Sequence, residues 1–228
     1  MVRLPGPTPS RVARPSVPVE RGRLAVPAQV LAPRLLGGVL VSMVDGVEVA
    51  VRLTEVEAYE GTEDPASHAF RGLTARTAVM FGPAGHLYCY FTYGMHWCAN
   101  VVAGSDGQAA AVLLRGGEVV RGADVARGRR PAARVGHDLA RGPARLATCL
   151  GLGRGHNGLD ICDQQAAVVL ESMPGRRSSR VRAGPRVGIS VAQERPWRFW
   201  LDGERSVSAF RPGGRRQRAG ARQTDTRE

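Results

Sequence analysis

Two short stretches of this chain hold residue types that could do chemistry together. The first, "TEVEAYEGTEDPASH" at 54–68, sets Glu55 and Glu57 just before Tyr59 and ends on His68. The second, "LYCYFTYGMHWCAN" at 87–100, holds Tyr88, Tyr90 and Tyr93, the other three of the four tyrosines. If the first runs as a regular strand, Val51, Leu53, Glu55, Glu57 and Tyr59 share one face. That face begins apolar and ends in two carboxylates and a ring. A strand leaving the core with solvated glutamates at its end accounts for this without function. A carboxylate base beside a stacking ring at a pocket mouth accounts for it with function. Tyr88 and Tyr90 also point to one face, and Tyr93-Gly94 falls where the chain should turn back. A ring at such a tip has little core to join, so it is an aggregation liability or an anchor for a partner. With a net charge of +12, the expected partner is polyanionic, nucleic acid rather than membrane. The tip ring then reads as a wedge entering stacked bases and the others as stacking platforms. Tyr88 is better explained as a core tyrosine bonded through its hydroxyl. Drawing one nucleotide out of a duplex costs roughly a few kcal/mol, and stacking it on rings returns about 1–3 kcal/mol per base. A base drawn out for chemistry needs a catalytic group, and Glu57 stands beside Tyr59.

These residues need a scaffold, and the rest of the sequence describes one. The 228 residues suit one domain with loose ends, and the 43% hydrophobic content is ordinary for a globular chain. Residues 1–24 hold five prolines and five arginines, and the end after residue 211 is similar. Both read as disordered basic segments, 1–24 and 212–228, around a domain at 25–211. "PAQVLAPRLLGG" has helical spacing and a glycine stop, with Pro33 expected to divide it in two. Asp45-Gly46, between "VLVSMV" and "VEVAVRLTEVEAY", is a two-residue hairpin signal. Strands are expected at 87–92, 98–103 and 109–115, and later in "AAVVLE", "PRVGISVA" and "WRFWLDG". "GPARLATCLGLG" opens on a proline suited to a first helical turn and closes on Gly151 or Gly153. The fold expected is mixed α/β (α+β), one compact domain around a curved, largely antiparallel sheet. No run of 18 apolar residues is present, so no transmembrane span is expected. The first 24 residues lack an apolar signal core, and Cys89, Cys98, Cys149 and Cys162 show no CxxC pairing. A cytoplasmic protein with reduced thiols is expected. The five histidines show no metal-binding spacing, so neither a metal nor a cofactor is expected.

Seven motifs in order carry a specific resemblance: "EVEAYEGTEDPASH", "RTAVMF", "GHLYCYFTYGM", "CANVV", "VLLR", "GPARL" and "PRVGIS". Over about residues 26–211 the chain resembles the alkyladenine (3-methyladenine) DNA glycosylase family. The resemblance implies hydrolysis of the N-glycosidic bond of alkylated or deaminated purines in double-stranded DNA, with a β-hairpin inserted into the minor groove. It implies that Glu57 activates the attacking water, and that Arg115 and the main-chain carbonyl of Val187 help to hold that water. Tyr59 and Tyr90 would sandwich the extracted base. His68 would pack at its edge and read it through the main-chain N–H, and Asn100 would crowd the 2-amino group of normal guanine. Tyr93 would fill the gap in the duplex, with Met95, Arg76 and Arg145 also meeting the DNA. The sequence departs from some relatives at His96-Trp97, and its "GLTAR" loop at 72–76 is reduced. A monomer acting on damaged duplex DNA is expected.

Two other readings use some of the same residues. A non-catalytic single-stranded nucleic-acid binder would use the arginines and tyrosines but would not need Glu57. A free-nucleoside hydrolase would break the same bond but would not need Tyr93 at a hairpin tip. One absence bears on the chemistry. All 32 basic residues are arginine, so no lysine is present to form a Schiff base with the sugar, and arginine stays protonated. The attacking species is expected to be water and the enzyme monofunctional. Borohydride should trap no covalent complex on lesion DNA. Trapping that disappears when the N-terminal amine is blocked is the contrary result.

Overall fold

A computed structural model describes residues 17–173 and 180–214. Nine strands form one sheet: β1 (Val39–Ser42), β2 (Val49–Tyr59), β3 (Leu87–Thr92), β4 (His96–Val102), β5 (Ala111–Arg121), β6 (Ala140–Arg141), β7 (Val168–Ser172), β8 (Val181–Gly184) and β9 (Arg198–Leu201). The main path runs β3-β4-β5-β2-β1-β7, with β6 on β5 and β9 on β2, and β8 on β9. Every strand pair among the described residues is antiparallel. The architecture is a single mixed domain, three helices with a curled antiparallel sheet. No described helix is long and apolar enough to cross a membrane.

β2 organises the sheet. Its 11 residues, VAVRLTEVEAY, are rich in the β-branched types that suit a pleated surface. One edge lies along β5. The other is shared, β1 taking the first half and β9 pairing with Glu55, Val56 and Glu57. The alternation expected along β2 does not hold. Val49, Val51 and Leu53 enter the main core, but so do Val56 and Ala58, so the parity changes near residue 54. Two offset bulges are the cause. Leu53 pairs with Gly117 and Glu55 with Gly116, leaving Thr54 extra on β2, while Val56 pairs with Leu114, leaving Arg115 extra on β5. A bulge re-aims the side chains beyond it. Glu55, Glu57 and Tyr59 therefore leave the face of Val51 and Leu53. Gly117 allows the close approach: a Cβ there would lie 2.3 Å from Val51 Cγ1 and 2.7 Å from the Arg52 carbonyl.

Three helices pack on the sheet. α1 (Ala28–Leu35) buries Ala28, Leu31, Ala32 and Leu35, the spacing of one helical face. Pro33 lies within this helix and does not divide it. The helix has little more than two turns, so the missing N–H forfeits only the bond to Gln29, and Gly37 at φ 80° turns the chain away. α2 spans Ala123–Arg129, and α3 spans Pro143–Leu150 with proline in its first turn and Gly151 at φ 72° closing it. Asp45 and Gly46, at φ 61° and 72°, sit inside a longer connection than a two-residue turn, since the last pair is Ser42 with Val49. "PRVGISVA" forms no strand. Its backbone leaves β8 as an irregular segment, and the amide of Val187 bonds a side chain instead of a ladder.

The segment 17–24, expected to be disordered, packs on the domain. The amide of Val19 donates to the Leu170 carbonyl at 2.9 Å, Arg21 pairs with Asp160 at 2.5 Å, and Leu24 is fully buried. The prolines and arginines hid these two apolar anchors. The rest of that arm, residues 1–16, and the tail from 215 to 228 lie outside the described residues. Leu24→Ala should lower unfolding stability by about 2–5 kcal/mol, the range for emptying a buried leucine site. Urea denaturation checks this, and an unchanged midpoint would show that the segment is not integral.

Candidate active site

The last turn of pairing on β2 delivers Glu57 to a site with no solvent exposure. Three donors converge on its carboxyl group. The Val187 N–H donates to Oε1 at 2.7 Å, Arg115 Nη1 lies 3.3 Å from Oε1, and the Tyr59 hydroxyl donates to Oε2 at 2.9 Å. The Val187 group at Glu57 is thus its N–H. Burial, and then the adjacent Glu57, hold the Tyr59 phenol well above its ordinary pKa. It stays a proton donor at any working pH.

Beneath Glu57 lies a second fully buried carboxylate. Glu55 Oε1 accepts from Arg198 Nε at 2.7 Å, from Ser208 Oγ at 2.8 Å and from Arg115 Nε at 3.0 Å. Its Oε2 accepts from the Ser208 N–H at 2.7 Å. Arg115 bridges the two glutamates, and both contacts place Glu55 and Glu57 on the same side of β2. Beside them the fully buried Arg186 donates to the Ala58 carbonyl at 2.9 Å and to both oxygens of the buried Asp64. Its guanidinium lies 4.6 Å from the centre of the Tyr59 ring, fixing that ring from one side. Sequence reasoning singled out neither Arg186 nor Asp64, nor Arg198 and Ser208. The first two do stand inside motifs that carried the resemblance.

A cavity of about 340 Å³ opens in front of these groups, within the range of roughly 300–1,000 Å³ usual for small-molecule sites. Tyr59, His68, Tyr90, Tyr93, Asn100, Arg115 and Val187 all line it. Glu57 is not part of the lining, but its partners Tyr59, Arg115 and Val187 are. Tyr90 stacks on Tyr88 with centroids 5.5 Å apart, and His68 meets Tyr90 edge-on at 4.4 Å. Tyr88 is a core tyrosine whose hydroxyl shares a 3.0 Å hydrogen bond with His68 Nδ1. Asn100 is fixed by a 2.9 Å bond from its amide to the Tyr88 carbonyl.

The DNA-facing candidates lie around the mouth. Tyr93 sits at the β3–β4 tip, 86% exposed, with φ 52° followed by Gly94 at φ 67°. Two consecutive left-handed residues match the twist of a tight hairpin. A bulky residue there is uncommon and strained. Met95, also exposed, closes the turn by donating to the Thr92 carbonyl at 3.2 Å. Arg76 is exposed and lies 5.6 Å from the centre of the Tyr90 ring. Arg145 lies apart from the cavity wall on α3, its nearest carboxylate Asp138 at 3.8 Å, although Pro143 of the same helix reaches the wall.

Lost hydration against the tyrosines, and then the charge of Arg76, push the His68 pKa down to about 4. The imidazole is therefore neutral near pH 7. In a ¹³C-detected pH titration its ring signals should move near pH 4, and a midpoint at the ordinary value of 6.5 would contradict this environment.

Comparison with known proteins converges on one family. The family model described as methylpurine-DNA glycosylase matches residues 23–205. A Streptomyces avermitilis protein is 49% identical over 203 residues, covering 88% of this chain and 95% of its own. A Nocardia farcinica protein is 52% identical over 193 residues, covering 82% and 89%. A Frankia casuarinae protein is 51% identical over 195 residues, covering 82% and 90%. Each carries the name of a candidate 3-methyladenine DNA glycosylase. The match takes in all nine strands, the hairpin tip and every cavity residue named above, and the chain belongs to the methylpurine-DNA glycosylase family.

Proposed function

We propose that this protein removes damaged purines from duplex DNA by hydrolysing the N-glycosidic bond, leaving an unbroken abasic strand. The observation that carries the reading is the environment of Glu57. An ionised carboxylate has about four acceptor positions, and three are occupied by Val187, Arg115 and Tyr59. The fourth is the position this reading assigns to the attacking water. Tyr93 enters the stack as the damaged nucleotide rotates out, and the base lodges against Tyr59 and Tyr90 in the cavity. Glu57 then takes a proton from the water as the water oxygen bonds to C1′ of the sugar, and the bond from C1′ to the purine nitrogen breaks with its electron pair leaving on the base. His68 and Asn100 border the base and bear on which purines are accepted.

The binder reading accounts poorly for the same geometry. Placing a carboxylate out of water costs several kcal/mol before its partners offset the loss. A protein that only stacks bases has no chemical use for the carboxylate of Glu57 behind a stacking ring. Duplex affinity in this account comes from arginines, so log affinity falls with log salt at about 0.9 per phosphate neutralised.

Glu57→Gln keeps the side-chain volume and removes the base. Single-turnover release of the damaged base should fall by about 10²–10⁴-fold, the usual worth of a general base. Lesion-duplex binding measured by anisotropy should survive. Release at a rate near that of the unsubstituted protein would sink the assignment of Glu57.

A further inference from the structure

Arg115 is asked to face both Glu57 and the cavity, yet its guanidinium can rotate about four side-chain bonds. Something must aim it. The bulge that makes Arg115 the unpaired residue of β5 brings its side chain over β2, and there Glu55 receives Nε–H at 3.0 Å. Ser208 Oγ accepts from Nη2 at 3.3 Å and itself donates to Glu55. With Nε and Nη2 both engaged, Nη1 is the nitrogen left to meet Glu57 at 3.3 Å. Glu55 also answers the charge of Arg198 at 2.7 Å, so two carboxylates and two guanidiniums balance in a region closed to water. Gly116, opposite Glu55, keeps room for this: a Cβ would fall 3.3 Å from Glu55 Oε2 and 2.8 Å from the Ser206 carbonyl.

We propose that Glu55 is a positioning residue of the reaction, holding Arg115 so that one nitrogen serves Glu57 and the attacking water. The proposal rests on the glycosylase reading above. Glu55 touches neither base nor sugar, so its loss should act on the chemical step and leave lesion binding alone.

Glu55→Gln keeps the shape of the side chain and removes its charge. Outer-shell partners of metal ligands typically carry 10–100-fold, and a loss of roughly that size is expected in single-turnover base release. The dissociation constant for lesion duplex should stay within about threefold, a split between chemistry and binding. Spectra of ¹⁵N-arginine-labelled protein add a readout that needs no activity. The Arg115 Nε–H should exchange slowly in the unsubstituted protein and in Glu57→Gln, and quickly in Glu55→Gln. Should Glu55→Gln fail to fold, Ser208→Ala removes one donor to Glu55 and the Nη2 acceptor while keeping every charge. It should slow release by a smaller factor with binding unchanged. A folded Glu55→Gln that releases base normally, or keeps Arg115 Nε–H protected, overturns the proposal, as does a Ser208→Ala of unaltered rate. If the unsubstituted protein released no base from any duplex, the glycosylase reading would fall, and the Nε–H signal would still decide how Arg115 is held.

Discussion

Two carboxylates two residues apart on one strand, both shielded from water, are the constraint around which this fold is arranged. Each would be costly alone, since an uncompensated buried charge destabilises by several kcal/mol. The cost is met by donors from four distant parts of the chain. Arg115 comes from β5, Arg198 from β9, Ser208 from the segment after β9, and the Val187 amide from the segment after β8. Satisfying Glu55 and Glu57 therefore ties together strands far apart in sequence, and the same bonds fix the site and close the sheet.

Backbone irregularity makes that arrangement possible. A regular β2 would have kept Glu55 and Glu57 on the face of Val51 and Leu53, inside an apolar core with no donors. The bulges at Thr54 and Arg115 move both glutamates to the other face without disturbing the core beyond, where Val56 and Ala58 resume packing. The segment after β8 makes a similar exchange. It gives up ladder bonds and uses its backbone to hold Glu57 and its Arg186 side chain to brace Tyr59. At the far end of the site the strain of Tyr93 at positive φ keeps an apolar ring facing solvent. That is a poor choice for stability alone and a useful one for a ring that must enter a stack of bases.

Much of this was legible in the sequence. Period-two patterning gave most strands, Pro143 and Gly151 bounded α3, and the clustering of tyrosines beside paired glutamates pointed to one cavity. The parity change does show in the sequence, where the apolar positions step from 49, 51 and 53 to 56 and 58, but which strands carry the extra residues does not. A second trace is Gly116-Gly117, since glycines inside a strand mark a bulge or a close approach. Val19 and Leu24 were concealed by the prolines and arginines around them. Arg186 and Arg198 could not be distinguished by type from the many arginines on the surface, because burial is a property of the fold. The "PRVGISVA" run has strand-forming residues, but Pro185, Gly188 at φ 75° and Ala192 at φ 50° interrupt it, and the Val187 amide donates to Glu57 instead of a ladder.

The central claim is that this cavity receives a damaged purine from a duplex and frees it by hydrolysis. Chromatographic detection of free base, from duplexes each carrying a single hypoxanthine, ethenoadenine, 3-methyladenine or 7-methylguanine, tests it most directly. The account predicts release of intact purine base from at least one of these, with the DNA strand unbroken until alkali is added. Tight binding to the same duplexes with no base released, or release only from free nucleosides, would contradict it.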